Sequence, residues 1–279
     1  MPSVIITNPS NNLDTSINQI VILGTTANAN NGDSVIIYKN GVFQGKNSVT
    51  NNNWSSTASL GNIGDSISVK ITNYAGYSAQ DTVTINYYGT PNVGLTQPQN
   101  NHDTSVQNIV IRGTVLNSKT GDQVKVFVNG VLNTTTAVLA GAQWNGTSLL
   151  SGVGDSVSVQ LADQWNRVSA DTIVVNYYGI PSVALKSPSN NSDTTLSIIT
   201  VTGTVLNAKV NDQIKIFVNG TLDTTITVAS GLTFSGTAGL LTKTGDSVSV
   251  QLLDSFNRIA ADTIVVNYYG TPSVALKSP

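Results

Sequence analysis

Apolar and polar residues alternate along much of the chain with the two-residue period of a β-strand. The runs QVKVFV (123–128) and SVSVQL (156–161) each place every second side chain on one face. No window has an apolar stripe at the roughly 3.6-residue period of a helix. The pattern predicts an all-β chain with about seven strands per ninety residues, antiparallel or nearly so, packed as two sheets.

The same landmarks recur about every ninety residues. They are NNxDT from Asn11, Asn100 and Asn190, Asn-Gly at Asn40, Asn129 and Asn219, Gly-Asp-Ser at Gly64, Gly154 and Gly245, and NYYG from Asn86, Asn176 and Asn267. Asn-Gly supplies the positive φ angles of a tight hairpin, and Gly-Asp ends a strand pairing.

The repeat predicts three domains, at residues 1–90, 91–180 and 181–271, and the start of a truncated fourth at 272–279. The joints are only Gly-Thr-Pro or Gly-Ile-Pro, so we expect three immunoglobulin-like β-sandwiches arranged end to end. PSVALKSP at 272–279 repeats the opening of the third copy, which suggests a fragment of a longer array.

Composition narrows the functional classes. Of 279 residues, 39% are hydrophobic and 10% charged, and the net charge is −2, so no basic surface for nucleic acid is expected. There is no cysteine, and His102 is the only histidine, which leaves no transition-metal set. No nucleophile elbow, phosphate loop or dinucleotide fingerprint occurs, and we predict that the chain is not an enzyme.

Neither a signal peptide nor an apolar run of about 18 residues is present. We therefore expect no membrane insertion by this fragment. An export signal and an anchor are expected elsewhere in a longer protein.

Four features in a fixed order resemble the bacterial immunoglobulin-like (Big-type) repeats of large surface proteins. They are Asn-Gly, an aromatic residue, a leucine six residues later and Gly-Asp. The aromatic and leucine positions are Trp54 and Leu60, Trp144 and Leu150, and Phe234 and Leu240. The resemblance implies a stalk in a cell-surface adhesin, sometimes with calcium at domain junctions. The family's Asp-x-x-Gly-Asn loop is altered at 163–166 and 254–257, and it lacks the acid at 73–76.

Aspartates recur at matching positions and are the candidate calcium ligands, since calcium prefers oxygen donors. The candidates are Asp14, Asp65, Asp103, Asp122, Asp155, Asp163, Asp171, Asp212, Asp254 and Asp262. In an immunoglobulin topology, Asp14 and Asp65 are expected to approach Asp122, Asp163 or Asp171 across a joint. The favoured interpretation is that each aspartate stabilises a turn at a strand boundary, and calcium binding is the alternative. We therefore expect no cofactor, and calcium is the only candidate considered.

The recurring aromatic residues have two interpretations. Trp54, Trp144 and Phe234 are either core residues or sugar-stacking platforms. Trp165, Phe256 and Tyr74 are placed in one loop, as junction contacts or binding residues. Neighbouring residues of a strand point to opposite faces, so one tyrosine of each NYYG pair is expected to be core and the other to brace the next domain.

Three functions follow as hypotheses. The first is an extracellular stalk or spacer of a bacterial adhesin, with the neighbouring repeats as partners and any surface ligand bound outside this fragment. The second is a self-assembling subunit of a surface layer or filament, with outward Tyr38, Val110 and Phe127 as contact residues. The third is a carbohydrate-binding module.

Overall fold

The computed structural model describes residues 1–270 and 272–275, which contain 24 strands and no helix. It follows that no helix in this part of the chain is long and apolar enough to cross a membrane. The predicted fourth copy lies only partly within these residues: 272–275 are exposed and form no strand, and 276–279 lie outside them.

Eight strands recur in each copy. The first copy contains β1 (Ser3–Asn8), β2 (Leu13–Thr15), β3 (Gln19–Ala27), β4 (Ser34–Lys39), β5 (Val42–Ser48), β6 (Asn53–Ser59), β7 (Asp65–Thr72) and β8 (Ser78–Tyr87). The second contains β9 (Asn92–Gln97), β10 (His102–Thr104), β11 (Asn108–Leu116), β12 (Gln123–Val128), β13 (Val131–Ala137), β14 (Gln143–Leu149), β15 (Asp155–Ala162) and β16 (Val168–Tyr177). The third contains β17 (Ser182–Ser187), β18 (Ser192–Thr194), β19 (Ile199–Leu206), β20 (Gln213–Val218), β21 (Thr221–Thr227), β22 (Thr233–Ala238), β23 (Asp246–Leu253) and β24 (Ile259–Tyr268).

Each copy forms a three-stranded and a five-stranded sheet. In the first copy their orders are β1-β3-β6 and β2-β8-β7-β4-β5, and both orders recur in the other two copies. The short strands β2, β10 and β18 pair in parallel with the last strand of their copy. The chain therefore changes sheets after its first strand, which adds one short strand and one parallel pair to the predicted pattern.

The described chain divides into two compact units. The first comprises residues 1–99, 110–148 and 157–173, and the second comprises 100–109, 149–156 and the residues from 174 onward. The division passes through the middle pair of sheets. The domain boundaries at 90/91 and 180/181 and the end-to-end arrangement therefore stay predictions.

Alternation along the strands builds the cores. Val35 and Ile37 of β4 and Ile67 and Val69 of β7 are fully buried, and Trp54 packs with them from the opposite sheet. Phe234 is buried in the same way in the third copy, and Trp144 is buried in the second. The core interpretation of these aromatic residues is confirmed.

A glycine lies beneath each core aromatic ring. A Cβ at Gly24, Gly113 or Gly203 would overlap both the ring and a backbone carbonyl oxygen of the neighbouring strand. No side chain fits there, so glycine is required for close packing of the ring on the sheet.

The buried leucine of the third copy is displaced by one residue from the motif position. Leu60 and Leu150 are buried, but Leu240 is 75% exposed and Leu241 is 2% exposed. The amide of Leu241 bonds to Ser197, as that of Leu150 bonds to Gln107. Leu241, and not Leu240, is the counterpart of Leu60 and Leu150 because the third copy has one additional residue between its aromatic residue and Gly-Asp.

Candidate functional site

Three of the recurring landmarks meet at one end of each copy. In the first copy, the side chain of Asn86 accepts a hydrogen bond from the amide of Gly64 (3.0 Å) and donates one to Asp14 (2.9 Å). We call this end the downstream pole. It consists of Asp14, Asn86 and Tyr88 in the first copy, Asp103, Asn176 and Tyr178 in the second, and Asp193, Asn267 and Tyr269 in the third. The repeated motifs thus form one hydrogen-bonded unit.

The aspartate of each Gly-Asp pair holds the turn beside this pole. Asp65 is buried and accepts hydrogen bonds from the amides of Gly61 (2.7 Å) and Asn62 (3.2 Å) and from the Asn40 side chain (2.9 Å). Burial raises the pKa of Asp65, but these hydrogen bonds outweigh it, so the pKa is lowered overall. Burial likewise raises the pKa of Asp246, and hydrogen bonds to its carboxylate outweigh this effect, so that this pKa is lowered overall as well. Asn40 and Gly41 have φ angles of 50° and 79°, as the hairpin prediction requires.

Two loops build the end of the second copy that contacts the first copy. Asp122 accepts the amide of Lys119 (2.8 Å), which fixes the loop that carries the lysine. Asp163 accepts hydrogen bonds from the amides of Trp165 (3.0 Å) and Arg167 (2.9 Å) and from Nε of Arg167 (2.7 Å). We call this end the upstream pole. It consists of Lys119, Trp165 and Arg167 in the second copy and of Lys209, Phe256 and Arg258 in the third.

The first junction joins a downstream pole to an upstream pole. Nζ of Lys119 lies 2.5 Å from Oδ2 of Asp14. The rings of Tyr88 and Trp165 are 5.5 Å apart between centroids, and the Arg167 guanidinium lies 5.1 Å from the Trp165 ring. Arg167 also donates a hydrogen bond to the carbonyl oxygen of Tyr88 (3.2 Å). An ion pair and a stacked cation thus surround one aromatic contact.

The second junction repeats this arrangement. Nζ of Lys209 lies 2.6 Å from Oδ2 of Asp103 and 5.0 Å from the ring centroids of both Tyr178 and Phe256. The two rings are 5.9 Å apart, and Arg258 lies 5.2 Å from the ring of Phe256. The predicted junction role of Trp165 and Phe256, and of one tyrosine in each of the first two pairs, is therefore confirmed.

The junction contacts shift the pKa values of the aspartates and tyrosines that form them. The hydrogen bond from Lys119 is the main cause that lowers the pKa of Asp14, and that from Lys209 likewise lowers the pKa of Asp103. Burial, together with the nearby carboxylate, raises the pKa of Tyr88 and of Tyr178. Sequence reasoning missed both lysines and both arginines.

The first copy has no comparable upstream pole. Its loop has the same backbone, because the amide of Asn73 bonds to the carbonyl of Tyr77 (3.0 Å) as that of Asp163 bonds to Arg167. In this alignment of the two loops, Ala75 is the residue equivalent to Trp165, whereas Tyr74 is 95% exposed. The predicted equivalence of Tyr74 with Trp165 is wrong by one position.

The calcium candidates are engaged in separate hydrogen bonds. Asp14 and Asp103 pair with lysines, Asp65 and Asp155 hold turns, Asp122 and Asp212 hold the lysine loops, and Asp163 and Asp254 bind arginines. Asp171 and Asp262 accept amides of Leu95 and Leu185 from within β16 and β24, so they do not stabilise turns at strand boundaries. No group of three or more acidic, histidine or cysteine residues suited to a metal occurs among residues 1–270 and 272–275. Junction calcium is untested and stays the alternative to the expected absence of a cofactor.

No family model matches the sequence, and no curated protein matches it either. Among solved structures, the chain is similar to an ICAM-5 D1–D4 ectodomain fragment, with 10% identity, a TM-score of 0.50, and coverage of 99% of this chain and 79% of that one. It is also similar to a tetra-tandem repeat in the extending region of a large adhesion protein (16% identity, TM-score 0.40, coverage 96% and 74%). A third is a 1.5-MDa bacterial ice-binding adhesin (19% identity, TM-score 0.37, coverage 96% and 98%).

The first of these comparisons agrees with the topology. The chain is an all-β protein of immunoglobulin-like sandwiches, and the first likeness supports that fold over nearly its whole length. A tandem repeat of a large adhesion protein and a bacterial ice-binding adhesin are among its structural neighbours.

Proposed function

We propose that the chain is a structural segment of a bacterial cell-surface adhesin, where it acts as a spacer that holds a distal region away from the cell. The observation that carries the proposal is the recurrence of one junction. Asp14 with Lys119 and Asp103 with Lys209 make the same ion pair beside the same aromatic contact. Contacts repeated between consecutive copies suit a protein whose task is to keep its domains in a set order and orientation.

The positions of the aromatic residues also support a structural role. Trp54 and Trp144 lie in the cores, so their ring faces are not available to stack on a sugar. Trp165 and Phe256 are engaged with the preceding copy. These placements disfavour a carbohydrate-binding module and favour a structural, non-catalytic role.

Small-angle scattering of the whole chain tests the spacer role. Strands of about eight residues predict about 35–40 Å per domain with its loops, so a maximum dimension a little over ~100 Å is expected. A variant with Lys119→Ala and Lys209→Ala should show broader interdomain distances, while Lys186→Ala, on β17 and outside both junctions, should leave the profile unchanged. A compact profile for the unaltered chain would refute the proposal. An apparent molecular mass that rises with protein concentration would instead favour the self-assembling subunit.

A further inference from the structure

The third copy presents a complete downstream pole. Its Asn267 accepts the amide of Gly245 (3.0 Å) and donates to Asp193 (3.0 Å), as its counterparts do in the other copies. Tyr269 is 50% exposed, whereas Tyr88 at the first junction is 6% exposed. Within the described residues, no cation pairs with Asp193 and no ring packs on Tyr269. The pole is thus organised by its own domain before any neighbour covers it.

We propose that the downstream pole of the third copy is a docking surface for a further copy of this repeat that carries an upstream pole of lysine, aromatic residue and arginine. The occupant is defined by chemistry: an ammonium for the carboxylate of Asp193 and a flat ring with a stacked guanidinium for Tyr269. The chain contains this complementary surface twice, at Lys119, Trp165 and Arg167 and at Lys209, Phe256 and Arg258.

The two sides of each junction are chemically different, which gives the array a direction. Each occupied junction has its carboxylate and tyrosine on the preceding copy and its cations on the following copy. The first copy has Asn30, Ala75 and Tyr77 at the three upstream positions, so it presents neither the ammonium nor the stacked ring and guanidinium. It therefore accepts a neighbour at its downstream pole only. A domain before it would have to make different contacts. This inference does not depend on the adhesin role.

Two extended chains test the proposal. Residues 1–271 are followed in one by a second copy of residues 181–270, which supplies Lys209, Phe256 and Arg258, and in the other by a copy of residues 2–90, which supplies none of them. The rate at which tetranitromethane nitrates Tyr269 is measured by mass spectrometry of the peptide across the new joint. Tyr178 in the same molecule is the reference for a covered tyrosine.

We expect nitration of Tyr269 to slow several-fold, towards the rate of Tyr178, in the first extended chain and to stay at the level of the original chain in the second. Lys209→Ala with Phe256→Ala in the added copy alone should restore the fast rate. Circular dichroism confirms that each added copy is folded. Equal protection by both extensions, or by neither, would overturn the proposal, as would protection that survives the double substitution.

Discussion

Tyr88 allows the energy of one junction to be measured. It lies just after β8 against Trp165, and it is 6% exposed, whereas Tyr269, at the same position without a covering copy, is 50% exposed. The junction thus covers a little under half of the tyrosine surface. For a side chain of roughly 200 Å², this is about 90 Å². At about 25 cal/mol per Å², the contact stabilises the protein by up to about 2 kcal/mol.

Tyr88→Ala should therefore cost about 2 kcal/mol more than Tyr269→Ala, because both changes remove the contacts within a copy but only the first removes a junction. For a domain of this size, that difference corresponds to a Tm about 8–16 °C lower. The substitution Trp165→Ala should not add fully to Tyr88→Ala. A coupling energy of about 0.5–1.5 kcal/mol is expected for rings at this distance.

Differential scanning calorimetry resolves the unfolding transitions of the copies. It supplies both the difference in Tm and the coupling energy. Comparison with the original chain and with both single variants completes the cycle. Equal loss of Tm in Tyr88→Ala and Tyr269→Ala would refute the reasoning, since it would mean that the junction contributes nothing. Full additivity with Trp165→Ala would show that the two rings do not interact.

Three further results are expected. Gly113→Ala should lower the free energy of unfolding in urea by about 1–3 kcal/mol, because the added Cβ overlaps the Trp144 ring. Gly152→Ala should be nearly neutral, because nothing lies within 4 Å of a Cβ there. Similar losses in the two variants would contradict the packing argument. The pKa of Asp246 is lower in the folded protein than the value of about 3.9 in the unfolded chain, so its ionised carboxylate stabilises the fold above that pH, and this contribution is lost as pH falls through the folded pKa. Asp246→Asn should therefore make the free energy of unfolding fall less steeply with decreasing pH in the acid range. An unchanged dependence on pH would contradict this. Calcium or a chelator should leave the Tm unchanged, because Lys119 already pairs with Asp14, and a chelator-sensitive Tm would support junction calcium instead.

The fold was predictable from the sequence because its signals are local. Alternation assigns strands to one face, and Asn40-Gly41 requires a turn that few other residue pairs allow. Leu240 shows where counting along a motif fails. The third copy has an additional residue between β22 and β23, so the buried leucine is Leu241, seven residues after Phe234 instead of six. Spacing predicts a core residue only while no insertion intervenes.

The junction lysines were not predictable in the same way. Lys119 and Asp14 are 105 residues apart, so no local pattern links them. Comparison of the copies does contain a signal: lysine, aromatic residue and arginine occur together in the second and third copies and are all replaced in the first. Positions that change together within one chain indicate a shared contact, even when each looks like an ordinary loop residue.

The two poles differ in how far they can vary. The downstream pole is part of its own domain, because Asn86 ties the Gly64 turn to the strand that carries Asp14, and its equivalents are identical in all three copies, including the uncovered one. Lys119 and Trp165, by contrast, have their main partners on the preceding copy. Their replacement leaves the domain's own core intact. The residues at the upstream pole therefore indicate whether a copy is built to follow another, and the invariant downstream pole indicates that every copy is built to be followed.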